Sequence, residues 1–90
     1  MGRKNIARKI EVGNYSFTSH AYDQMFKREI YIKQVSDVIL NGRVIGKRSE
    51  KDGDALVIIG ERFNGDPLKV VVKDCPIPKV ITVCYPYEEI

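Results

Sequence analysis

The spacing of apolar residues changes period near residue 42, and the change divides the chain into a helical part and a strand part. Before it, Val35, Val38 and Ile39 recur at i, i+3 and i+4 and predict a helix over about 32–40. Gly42 stands where a left-handed C-terminal cap belongs. An earlier helix is predicted from about residue 19 to Arg28 or Glu29, capped by Thr18 or Ser19. On it, Ala21, Tyr22, Met25 and Phe26 fill one side, while His20, Gln24, Lys27 and Arg28 share an arc that faces solvent or a groove.

Beyond Gly42 the runs are short and rich in Val and Ile, predicting strands over 43–48, 55–62, 68–73 and 79–85. Asp52-Gly53 and Asn64-Gly65 supply hairpin turns, so the first three form an antiparallel meander. The proline-containing loop 74–78 precedes the last strand, which Pro86 ends. Upstream of the helices, Arg8–Val12 and Tyr15–Phe17 flank Gly13-Asn14 and read as a short strand or small hairpin. The expected fold is α+β: two N-terminal helices, tightly paired, packed on a twisted four-stranded antiparallel sheet, with room for a short N-terminal strand.

Ninety residues make one domain, spanning 1–90 with a basic arm over about 1–9, and leave no length for a second. No run approaches a membrane span, and the N-terminal charges lack the apolar stretch of a secretory signal, so a cytoplasmic, soluble protein without membrane partners is expected. Cys75 and Cys84 stand nine apart without a CxxC pair or neighbouring histidine, which predicts reduced thiols and neither metal nor cofactor. Residues 1–48 hold ten Lys/Arg against four Asp/Glu, whereas 49–90 hold five against eight. That imbalance suits a polyanion on one surface, although an ordinary solvated surface explains it about as well.

The chain has a single histidine, His20, in the first turn of the first predicted helix. There the unpaired N–H groups disfavour an imidazolium and favour an anion. A neutral ring with Arg28 along the same face can accept a proton from a nucleophile while the cation holds a phosphate. Each residue also has a plainer role. A lone histidine at a helix start is more often simply exposed or capping, and Arg28 is well placed to stabilise the helix C-terminus.

Five short motifs occur in fixed order: Thr18-Ser19-His20-Ala21, Arg28-Glu29-Ile30, Gly42, Gly65-Asp66-Pro67-Leu68 and Ile81-Thr82-Val83-Cys84-Tyr85. On these, over about residues 15–86, the sequence resembles the family catalogued as domain of unknown function number 4258, and its element order resembles RelE/ParE-type toxins. The resemblance implies a toxin-like, metal-independent endoribonuclease or RNA-binding protein, restrained by an antitoxin-like protein. It further implies His20 as base or acid, Arg28 on the phosphate, and Thr82 and Tyr85 at the reacting group or stacked on a base. Thr82 and Tyr85 have opposite parity on a regular strand, so only a bulge or the strand end lets both face one site.

Two positions depart from the family pattern: Gln24 replaces an arginine, with Lys27 as its compensating cation, and Glu29 replaces a glycine. Gln24, Lys27, Arg3, Lys4, Arg8, Lys9, Lys47 and Arg48 are the nucleic-acid-binding candidates. For Lys47, Arg48 and Arg62 the favoured role is protection of a strand edge. The alternative to the nuclease is a non-catalytic nucleic-acid-binding or protein-interaction domain, monomeric or homodimeric.

Overall fold

Ile6 and Ile10, four apart and both buried, form the inner edge of a helix, α1 (Arg3–Glu11). It belongs to a computed structural model that describes residues 3–50, 53–61 and 65–87. The elements that follow are β1 (Ser16–Phe17), α2 (Ser19–Lys27), α3 (Ile32–Asn41), β2 (Arg43–Glu50), β3 (Gly53–Glu61), β4 (Pro67–Lys73) and β5 (Lys79–Cys84).

The α+β class stands, with one helix more than the sequence predicts and the short N-terminal strand it allowed present as β1 within Tyr15–Phe17. The segment Arg8–Val12, read as extended because it flanks Gly13-Asn14, is helical up to Glu11 at the end of α1, and Val12 beyond it is 71% exposed. Gly13-Asn14 is no hairpin. The Asn14 N–H donates to the Lys9 carbonyl at 2.8 Å and the Gly13 N–H to Ile10 at 3.1 Å, with Gly13 at φ 74°. That nested pair is a Schellman ending, for which glycine supplies the left-handed residue. From Arg3 onward the basic arm is therefore helical, and α1 packs on α3.

The sheet has five strands in the order β1-β5-β4-β3-β2, antiparallel except for the two-residue parallel contact of β1 with β5. Gly53 and Gly65 have the positive φ expected of the turn glycines, while Asp52 and Asn64 lie outside the described residues. Bulges interrupt the register at Ile45 in β2 and at Ile81 in β5. All three helices share one core with a single sheet face, formed by Leu56, Ile58, Leu68, Val70, Val72, Val80 and Val83. The two later helices are not the close pair expected: α2 rests chiefly on β5, and α3 on β3, β4 and α1.

Gly42 ends α3 without the anticipated left-handed conformation, at φ −78° and ψ −178°. Its value is proximity. A Cβ there would meet the Val38 carbonyl, the Ile59 carbonyl at 2.7 Å and Ile58 Cγ2 at 2.9 Å, and Gly60 lies directly against it. The backbones of α3 and β3 thus touch where no side chain fits.

Glu29 is the described non-glycine residue with positive φ, at 54°. Ile30 N–H donates to Met25 at 2.9 Å and Glu29 N–H to Phe26 at 3.3 Å, so α2 also closes in a Schellman motif, with Met25 and Ile30 both buried. Glutamate occupies the left-handed position where the resembled family has glycine.

Two stability predictions follow from these geometries. Gly42→Ala is expected to cost at least about 2 kcal/mol in urea unfolding, whereas Gly46→Ala, with nothing within 4 Å of its Cβ, is near neutral. Glu29→Gly is expected to raise stability by about 0.5–1 kcal/mol and Glu29→Val to lower it by at least about 1 kcal/mol. Equal unfolding midpoints for these two variants would remove the strain argument.

Candidate nucleic-acid interface

The placement of α2 begins with the edge of β5. β1 covers only the first part of that edge: Ser16 and Thr18 N–H groups reach the Pro78 and Val80 carbonyls at 2.9 and 3.0 Å. Thr18 then caps α2, its Oγ1 accepting from Ala21 N–H at 3.0 Å. One turn later, Gln24 Oε1 accepts the Val83 N–H at 2.9 Å, across 59 residues of sequence. The helix side chain thus takes over where the short strand stops.

Gln24 is consequently buried, at 5% exposure, together with Ala21 and Met25. This overturns the outward polar stripe, because the inward arc of α2 is centred on Gln24, Ala21 and Met25. Arginine has no acceptor to offer Val83, so glutamine here completes a sheet edge.

His20 and Lys27 are exposed at opposite ends of α2. Arg28 is half-buried at the C-cap, where Nη1 donates to the Gln24 carbonyl at 3.5 Å. Eight residues of helix separate His20 from Arg28 by about 12 Å along the axis. The two grooves between α2 and α3 are lined by neither residue.

Thr82 is buried on the sheet face opposite the helices. The bulge at Ile81 resets parity, so that Val80 and Val83 enter the core while Thr82 and Cys84 point the other way. Tyr85 follows the end of β5, half-buried, and stacks on exposed Tyr87 with centroids 5.5 Å apart and rings 3° from parallel. The four residues proposed for catalysis are thus spread over α2, the far face of β5 and the chain beyond it.

The register identifies a different grouping. Directly opposed residues of antiparallel strands share a face, which gives the helix-free face three rows. The first is Arg48, Ala55, Lys73 and Lys79; the second Gly46, Val57, Val71 and Thr82; the third Arg43, Ile59, Lys69 and Cys84. Two cationic rows therefore flank a neutral one, with Lys69 and Lys73 about 13 Å apart along β4. Among the described side chains, one carboxylate, Glu61, shares this face, at its rim. Lys69 and Lys73 are half-buried. Lys73 and Lys79 stand directly opposite each other, a like-charge arrangement unfavourable in itself.

Residues 17–85 match the family described as Domain of unknown function (DUF4258). The chain belongs to that family. No curated protein and no solved structure matches it. In this DUF4258 domain, of the binding candidates named from sequence, Arg48 lies on the basic face. Lys47 falls on the other face of the exposed edge strand β2. Lys4 and Arg8 are exposed and Lys9 half-buried on α1, while the side chain of Arg3 and all of Arg62 lie outside the described residues.

Sequence reasoning missed Arg43, Lys69, Lys73 and Lys79. The alternation of Lys69 and Lys73 with Leu68, Val70 and Val72 was the available signal, but only the register aligns them with Lys79 and Arg43. Cys84 is buried, and Cys75 Sγ donates to the Ile77 carbonyl at 3.0 Å. Among the described residues, no helix is long and apolar enough to cross a membrane.

The Gln24 contact has a direct test. Gln24→Leu strands a buried Val83 N–H and is expected to cost about 1–3 kcal/mol in chemical denaturation. A loss below about 0.5 kcal/mol would show that the edge is satisfied in another way.

Proposed function

We propose that this DUF4258 domain binds the sugar–phosphate backbone of a nucleic-acid strand on the helix-free face of its sheet. The observation that carries this reading is the register that sets Arg43 with Lys69, and Arg48 with Lys73 and Lys79, on either side of Val57, Val71 and Thr82. Rows of cations give affinity through release of condensed counterions, and the strip between them, where Val71 and Thr82 are buried, adds no charge of its own. Helices on one side and an antiparallel meander on the other also support a RelE/ParE-like scaffold, and with it RNA as the first strand to test.

Binding without cleavage fits the placement of the side chains better than catalysis does. His20, the only imidazole, is about 12 Å along α2 from Arg28, and Thr82 lies on the opposite side of the sheet from the core that α2 joins. A transesterifying site needs its base, its cation and its acid within hydrogen-bonding reach of one phosphate.

The test is binding of labelled single-stranded RNA and DNA across a salt series. The slope of log K against log salt is expected near −0.7 per phosphate contacted, and Lys69→Ala, Lys79→Ala and Arg43→Ala should each weaken binding and flatten that slope by about one contact. Lys4→Ala on α1 should leave both unchanged. RNA incubated with the protein in chelator should stay intact. Affinity that ignores salt would overturn the proposal, and RNA cleavage lost in His20→Ala would replace it with the nuclease.

A further inference from the structure

Four of the exposed large apolar side chains gather in one place: Tyr22 at 50%, Phe26 at 88%, Tyr31 at 66% and Ile32 at 50%. They surround two adjoining grooves where α2 turns into α3. Single exposed apolar residues are ordinary, but a contiguous aromatic cluster around grooves marks a surface that another molecule covers.

The charges around it indicate which molecule. Asp23, Lys27 and Glu29 line the same grooves, so both signs alternate beside the aromatic rings. A phosphate backbone finds no net attraction there, in contrast to the far side of the sheet. The whole chain carries +3, so two copies that meet through their cationic surfaces repel, whereas copies that meet here do not.

Two-fold symmetry makes the pattern self-complementary. An isologous contact lays α2 antiparallel on its mate, and residues equidistant from the axis face each other. With the axis level with Met25, Asp23 of one copy stands opposite Lys27 of the other, twice, and Phe26 lies beside the axis. A central aromatic anchor with flanking opposite charges is the usual anatomy of a specific interface.

We infer that the exposed face of α2, with the start of α3, is a homodimer interface centred on Phe26, whose occupant is a second copy of this chain. The contact leaves both helix-free sheet faces directed outward. It is independent of whether those faces bind nucleic acid.

Sedimentation velocity of the full chain over a micromolar concentration series tests this without any ligand. The unmodified protein is expected to show concentration-dependent dimers. Phe26→Glu, at a position too exposed to disturb the core, is expected to sediment as a monomer with unchanged circular dichroism. Asp23→Lys should weaken dimerisation about tenfold or more by opposing like charges, and Asp23→Lys with Lys27→Asp should restore it by recreating both pairs in reverse. Should Phe26→Glu not fold, the charge reversal and its rescue decide the question alone. A protein that remains monomeric throughout gives the face to a different partner and overturns the inference. A dimer that survives both Phe26→Glu and Asp23→Lys overturns it as well.

Discussion

The outer edge of β5 sets the rest of the architecture. Its parallel partner β1 is only two residues long, and an uncovered N–H beyond it would cost free energy in a buried position. The amide oxygen of Gln24 takes that place at Val83, which seats α2 along the edge with Ala21 and Met25 in the core. The orientation of α2 follows directly. Tyr22 and Phe26 turn outward, His20 and Lys27 flank the helix, and the chain leaves through the left-handed Glu29 into α3.

With α2 held there and α3 pressed against β3 at Gly42 and Gly60, all three helices occupy one side of the sheet. The other side is left to whatever the strands present. Twist and bulges shape it: the irregularities at Ile45 and Ile81 shift parity so that Arg43 and Thr82 fall on the same face as Lys69 and Val71. Two distinct surfaces result, one aromatic with mixed charge and one cationic with a neutral centre.

The strands after residue 42 were legible because β-branched runs bounded by Asp-Gly and Asn-Gly turns leave few alternatives. The start of α2 at Thr18 or Ser19 was legible too, and the structure makes Thr18 the cap. α1 was not, since its apolar content facing inward amounts to Ile6 and Ile10 among many charges. Gly13-Asn14 serves hairpins and Schellman endings alike, and only the carbonyls it meets tell them apart. The inward turn of Gln24 was hidden for a similar reason: its partner Val83 is 59 residues away. The basic face needed pairing register, which the sequence of one strand does not contain. His20 attracted attention as the only imidazole, yet the chemistry proposed for it required neighbours that the helix places along its length.

A backbone amide NMR titration with a short single-stranded RNA reads the basic face residue by residue. Binding on that face shifts the amides of Arg43, Lys69, Val71, Lys79 and Thr82 progressively, reversed by added salt, with the amides of α2 little changed. Shifts concentrated at His20, Lys27 and Arg28, with the sheet rows silent, would contradict it.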